Sequence, residues 1–332
     1  MLTGSGHDVP SDGQGQRFAP FPRRSVPERY VFTRGGSDMV RRVGRYTLPE
    51  YSVLMSVYDR ERPDNLNESL ESMLMQSYPP SDFVLVCDGK LTNELYVIIK
   101  SFKDEYKTIF RIVRADERKG LGKALNAGIA ACKCKYIVRM DSDDVALPDR
   151  CLKQMLLFAA KPGLDIVGSF AEEFDDRSGK TIGIRKVPLV HKDIISYSKR
   201  RSPFNRQTVA FRKSKAEEIG GYSDLELCED YEFAARMLAE GGKGQNIPEA
   251  LVRYRVNEKT PEKRKSWRLT KGFIKVRWTL FLSGYTSFRD FFSPCMAQMG
   301  LFILPRRFTG WVYRKFLRDK PVSTDTEKRA AT

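Results

Sequence analysis

Three aspartates within four positions, Asp141, Asp143 and Asp144, follow directly on the apolar run "YIVRM". Carboxylates at i and i+2 on a turn beyond a strand can face one divalent cation together. Hard cations such as Mg2+ or Mn2+ prefer oxygen ligands and share their coordination with substrate phosphates. A second reading of the same residues is an ordinary acidic turn that caps the helix expected after Pro148, a task for which Asp144 or Asp149 suffices. Asp88, in "VCDG", ends an earlier apolar run; it can accept a hydrogen bond from a nucleotide base or sugar, or simply shape its turn. In "RKGLGKALNAG", Gly120, Gly122 and Lys123 stand at an expected helix start. Backbone N–H groups and a lysine there favour phosphate, and a tightly packed loop is the plainer alternative. "CEDYEF" puts Glu229 and Asp230 in the first turn of a helix, where they either complement the helix dipole or present a general base to a cleft.

These clusters must be positioned by the elements between them. From Tyr51 onward, apolar runs of strand length alternate with helical patterns: "YSVLMSVY", "NLNESLESMLMQS", "FVLVCDG", "NELYVIIKSF", "FRIVRAD", "GLGKALNAGIAACK", "KYIVRM" and "PDRCLKQMLLFAA". Such alternation, with strands apolar on both faces, predicts an α/β fold with a mixed, mainly parallel sheet flanked by helices. Ligands of such sheets bind beyond the carboxyl ends of the strands, where "SVYDRER", "CDGK" and "DSDD" all fall. Beyond Asp165 the strands are less regular, up to "EALVRYRVN" near residue 257.

Composition narrows the chemistry. The chain has 332 residues, 41% of them hydrophobic, enough for one large domain or two modest ones. Two histidines, His7 and His191, exclude a histidine-rich metal site, so a metal must be held mainly by oxygen. The six cysteines lack zinc-ribbon spacing and read as reduced thiols in a cytosolic compartment. Residues 1–48 read as a disordered leader without an apolar signal segment, and 321–332 as a disordered tail. The excess of 58 basic over 42 acidic residues, +16, is regional: residues 251–320 hold 17 basic and 4 acidic side chains, or +13. There aromatic and basic residues interleave at helical spacing from Lys263 to Lys320, which suits an anionic membrane surface or a helical subdomain with a solvated cationic face. The apolar stretch 291–305 is 15 residues with an internal proline, short of the ~20 a spanning helix needs. Nucleic-acid binding is the rival suggested by charge alone, but no helix-turn-helix, zinc-finger or RNP signature accompanies it.

Taken in order, "SVLMSVYDRERPDNLNESLESMLMQSYPPSDFVLVCDG", "GLGKALNAGIAACKCKYIVRMDSDDVALPDR", "FNRQTVAFRKS" and "GGYSDLELCEDYEFAARML" resemble the family 2 glycosyltransferases, inverting enzymes of the GT-A fold that use nucleotide sugars. The resemblance implies a domain over 49–260, with a nucleotide-binding half at 49–145 and an acceptor half at 146–260, followed by a basic amphipathic helical region at 261–320. It implies donor-binding roles for Ser56, Val57, Tyr58, Asp88, Arg118, Lys123, Asp141 and Ser142, and Mg2+ or Mn2+ held by Asp141 and Asp143. Asp230 resembles the catalytic base. The implied donor is a nucleotide sugar, a UDP-sugar by preference, and the implied acceptor a glycan or lipid-linked hydroxyl in surface-polysaccharide assembly at the cytoplasmic face of the membrane, with no nucleic acid involved. Four residues depart from the pattern: Arg118 and Lys119 stand where an asparagine is frequent, Arg206 where a histidine is, and Asn257 where a metal-binding histidine is. Asn257 can still offer an amide oxygen to a hard cation. A nucleotidyltransferase and a catalytically impaired nucleotide-sugar-binding protein are the alternatives.

Overall fold

The computed structural model describes residues 32–35, 38–225, 227–256 and 266–303. The expected disordered leader does not extend to residues 32–47, which form a three-stranded antiparallel sheet of β1 (Phe32–Gly35), β2 (Asp38–Val43) and β3 (Tyr46–Thr47). Its second hairpin turns through Gly44 and Arg45, and Gly44 has the positive φ of +55° that a two-residue turn of this kind requires.

The main sheet begins with β4 (Tyr51–Val57), β5 (Asp82–Asp88), β6 (Phe110–Ala115) and β7 (Tyr136–Asp141), all parallel, in the order β6-β5-β4-β7. It continues through β11 (Ala210–Arg212), antiparallel to β7, then β9 (Ile166–Asp175), β12 (Gly244–Val256) and β8 (Val145–Ala146), with β10 (Thr181–Arg185) paired to β9. Strand β12 runs parallel to β9.

Every residue of β5 is buried because both faces are covered. Successive side chains divide between two cores, as the strand period of two demands. Val53, Met55, Phe83 and Leu85 meet α1 (Pro63–Leu74), α2 (Asn93–Glu105) and α4 (Arg150–Ala160). Leu54, Val84 and Val86 meet α3 (Leu121–Ala131) and join the core that holds α6 (Lys213–Glu218) and α7 (Glu229–Ala239). Each such fully buried side chain contributes about 1.5–3 kcal/mol. The short α5 (His191–Ser198) lies against β12.

The basic section contains two helices, α8 (Trp267–Leu282) and α9 (Phe288–Ile303), which pack on one another. Ser266 caps α8 by accepting from the Leu269 N–H. Val276 and Leu280 of α8 join Tyr231 and Ala235 of α7 in a third small core.

Candidate active site

Strand register brings the expected residues together. Ser56 of β4 stands beside Asp141 of β7, and Val57 beside Cys87 of β5. The turn after β7 is held by Ser69 and Ser72, three residues apart on one face of α1, and by Gln76 just beyond the end of that helix. Ser69 donates to the Asp141 carbonyl (2.8 Å), Ser72 accepts from the Ala146 N–H (3.1 Å), and Gln76 donates to the Leu147 carbonyl (2.9 Å) and accepts from the Cys151 N–H (2.9 Å). Beneath the turn, the buried Arg150 donates to the Arg139 carbonyl at 2.6 Å. The acids are therefore presented on fixed backbone.

Their charges are only partly balanced. Arg139, 1% exposed, forms ion pairs with Asp141 (2.8 Å) and Asp230 (3.4 Å), and the Nε of Arg206 lies 3.3 Å from the other Asp141 oxygen. Burial pushes the Asp141 carboxyl up, but Arg139 and Arg206 outweigh it and hold it below the usual carboxylate range. Asp230, at the first turn of α7, is held above its ordinary value by burial despite the same two arginines. For Asp143 the balance is reversed: burial, with Asp141 and Glu61 nearby, outweighs Arg206 and pushes it up to about 6. Asp144 is fully buried and raised for the same first reason; one of its oxygens accepts from the Arg255 N–H (2.9 Å) and the other has no hydrogen-bond partner. Arg255 also ties this turn to Asp176 (2.9 Å) and Glu68 (2.5 Å) and donates to the Asp143 carbonyl (2.8 Å).

Oxygens of Asp141, Asp143 and Asp144 lie within 4.8 Å of one another. Oxygen ligands about 2.0–2.6 Å from one centre span that separation, and a divalent cation would relieve the crowding that raises Asp143 and Asp144. The donor set, all oxygen, fits Mg2+ or Mn2+. Asn257 lies outside the described residues.

Elsewhere at the carboxyl ends of the strands, the Arg118 guanidinium stacks over the Tyr58 ring at 4.5 Å. Asp88 holds the loop that carries Arg118, accepting from the N–H groups of Lys119 (2.8 Å) and Gly120 (3.2 Å). Gly89, at φ +89°, makes this possible: a Cβ there would sit 3.0 Å from the Arg118 backbone nitrogen. Ser142 donates to Glu61 at 2.6 Å, which ties the acidic turn to the β4–α1 loop. Lys123 does not join the acids; it pairs with Asp224 at 2.8 Å on the turn before α7.

A family model described as "Glycosyl transferase family 2" matches residues 52–220, about half of the chain and the portion that carries this acidic turn. The chain belongs to glycosyltransferase family 2. This glycosyltransferase is 35% identical over 271 residues to the UDP-Gal:alpha-D-GlcNAc-diphosphoundecaprenol beta-1,3-galactosyltransferase of Escherichia coli, covering 81% of the chain and 97% of that relative. It is 32% identical over 226 residues to the amylovoran biosynthesis glycosyltransferase AmsE of Erwinia amylovora, covering 68% and 84%. Its fold matches the mannosyltransferase PcManGT of Pyrobaculum calidifontis, solved with GDP-Man and Mn2+, at a TM-score of 0.55, 17% identity and coverage of 79% and 72%. It also matches S. aureus TarS 1–349, solved with UDP-GlcNAc, at 0.53, 17% identity and coverage of 68% and 65%. The fold is thus the expected GT-A arrangement, and membership sets aside the nucleotidyltransferase and nucleic-acid readings.

Several residues of the glycosyltransferase site were not singled out from the sequence. Arg139 carried a signal: a charge two positions before Asp141 on an otherwise apolar strand must share the face of Asp141. Arg206 stood out only as a departure from the family pattern. Glu61 and Arg255 meet the acidic turn through folding alone, from 81 and 112 residues away by the contacts they make.

Proposed function

We propose that this glycosyltransferase moves a sugar from a nucleotide-sugar donor, UDP-linked by preference, to a hydroxyl of a lipid-diphosphate-linked glycan in the assembly of a bacterial surface polysaccharide. The observation that carries the reading is the pairing of an acidic, cation-fitting turn with Asp230 through one arginine. Residues 49–145 hold the nucleotide: Tyr58 and Arg118 flank the base, Asp88 fixes their loop, and Ser56, Val57 and Ser142 line the strand ends beside it. Lys123 reaches the phosphates only by leaving Asp224, an exchange that an exposed ion pair worth about 0–1 kcal/mol permits. Asp141 and Asp143, with Asn257 as a further oxygen donor, hold Mg2+ or Mn2+. When bound, the metal neutralises the departing diphosphate. From the acceptor half, 146–260, Asp230 takes the acceptor proton as that oxygen attacks the anomeric carbon, so that a single displacement inverts the configuration. Its raised pKa suits a base that must hold the proton it receives.

The reading of a lipid-linked acceptor is supported by the named substrate of the Escherichia coli relative and by the helical hairpin. Among the described residues no helix is long and apolar enough to cross a membrane. The hairpin nevertheless exposes Trp267, Trp278, Leu282, Phe288, Phe292 and Met296. Phe288 and Phe292, with Arg200 and Arg289, line a cavity of about 330 Å³. Aromatic side chains beside guanidinium groups suit the headgroup region of an anionic bilayer. We place the enzyme there, peripherally, on the cytoplasmic face.

Two measurements test this. Nucleoside diphosphate release from UDP-, GDP- and dTDP-sugars, with and without Mn2+, should select one donor and require the metal; Asp143→Ala releasing product at the wild-type rate would exclude the assigned site. Flotation with anionic and with neutral vesicles should recover the protein with the former only, and the triple replacement of Trp278, Phe288 and Phe292 by Ala should abolish it. Equal flotation of the variant would remove the hairpin from the membrane.

A further inference from the structure

We propose that Arg206 is a second cation of the active site that exchanges partners during turnover, from the Asp141 carboxylate to the diphosphate of the donor. The inference rests on the assignment of Asp141 and Asp143 as the metal and diphosphate site.

The two arginines on Asp141 are built differently. Arg139 is 1% exposed and fixed between Asp141 and Asp230, whereas the Arg206 side chain is 44% exposed. The Asp141 oxygen facing Arg206 makes no hydrogen bond, so that contact, at 3.3 Å, is an ion pair without directional geometry. A half-exposed pair of this kind is weak and readily exchanged. The backbone beneath it is rigid. Arg206 opens a single 3-10 turn, Arg206–Thr208, and the preceding Asn205 donates to the carbonyls of Ser169 (2.9 Å) and Arg185 (3.1 Å) while the Thr208 hydroxyl donates to the Asn205 carbonyl (2.8 Å). A free head on a fixed stem covers a small, defined arc.

That arc lies among the acids of the site. The guanidinium interacts with Asp141 first and with Asp230, Tyr254 and Asp143 as well, which sets it between the acidic turn and the base. In the displacement, the bond from the anomeric carbon to the terminal phosphate oxygen breaks and its electron pair stays on that oxygen. The acceptor oxygen bonds to the anomeric carbon, and its proton passes to Asp230. Negative charge therefore grows on the diphosphate where Arg206 can reach. A guanidinium is always charged, and its planar fork matches two phosphate oxygens, a stronger contact than the one it leaves. With Asp141 and Asp143 engaged on a divalent cation, the Arg206 guanidinium would lose its hold on the Asp141 carboxylate and be available for this contact. Arg206 thus opposes metal in the absence of nucleotide and assists nucleotide in its presence.

The two effects have opposite signs, which makes the test sharp. Mn2+ binding to the full chain is measured by electron paramagnetic resonance without nucleotide, and UDP and GDP binding by calorimetry at saturating Mn2+. Arg206→Gln should bind Mn2+ alone about three- to fivefold more tightly, as loss of an exposed competing charge predicts, and bind its preferred nucleotide at least about tenfold more weakly. Arg206→Lys should match the wild type for Mn2+ and lie between the two for nucleotide. If Arg206→Gln leaves both affinities unchanged, or weakens both, the proposal is wrong and Arg206 is surface or scaffold. Asp143→Ala separates the underlying assignment: it should lose Mn2+ binding, and its retention would overturn the metal site itself.

Discussion

Asp141 and Asp230 share one buried guanidinium, that of Arg139, at 2.8 and 3.4 Å. One acid ends β7 and the other lies in the first turn of α7, so a single side chain couples the two elements. Replacing Arg139 by Met leaves two carboxylates in a site built for a cation. Breaking a buried pair of this kind costs about 3–5 kcal/mol. Urea denaturation should show that loss, and Arg139→Lys should recover only part of it, since an ammonium cannot reach both acids with the same fork.

Asp230→Asn keeps shape and removes basicity. Loss of a positioned general base lowers turnover about 10²- to 10⁴-fold, while nucleotide affinity at saturating metal should stay within about threefold of the wild type, because the expected base does not contact the nucleotide. Steady-state sugar transfer and calorimetry with UDP separate the two; a fall in affinity equal to the fall in rate would make Asp230 a binding residue instead.

Glu229 supplies a pH signature. It is 4% exposed, one of its oxygens has no hydrogen-bond partner, and burial with Asp230 beside it pushes its pKa up to about 7 from 4.5. A carboxyl raised on folding favours the native state fully below its unfolded pKa, and that contribution is lost as pH rises through the folded value. Stability should therefore decline between about pH 4.5 and 7 by an amount on the order of 3 kcal/mol. Glu229→Gln cannot ionise and should show less decline, overtaking the wild type by pH 8. Parallel stability curves for the two proteins would refute this.

Gly122 tests the contact between α3 and the turn that leads to α7. A Cβ at this position would stand 2.7 Å from the Ser223 carbonyl oxygen. The turn cannot retreat easily, because Asn126 holds Tyr222 by both its N–H (2.7 Å) and its carbonyl (2.8 Å). Gly122→Ala should cost about 1–3 kcal/mol, the usual cost of overpacking, seen as a lower Tm. An unchanged Tm would mean that the turn yields.

The sheet and its helices could be read from the sequence because burial on both faces writes itself as unbroken apolar runs in "FVLVCD" and "YIVRM". The acids could be read because they stand at the ends of those runs. The partners of the acids could not. Arg255 and Glu61 reach the acidic turn across long stretches of chain, and nothing local to "YRV" or "DRER" marks them. Lys123 shows the converse: its place at a helix start suggests phosphate, yet folding brings Asp224 to it first. The strands at 32–47 were missed because their composition is that of a loop, and pairing rather than apolar content makes them.

The two-residue spacing of Arg139 and Asp141 on β7 has a bearing on how this enzyme can evolve. Both side chains owe their common face to strand register, and Arg139 and Val138 are fully enclosed by neighbouring elements. Loss of one codon within "YIVRM" would turn an arginine toward apolar packing and a valine toward the acids. The reaction centre and the packing of the sheet would fail at once. Insertion and deletion are closed to this segment. Length variation must fall instead on surface turns such as residues 177–180, which are exposed and leave room for added residues.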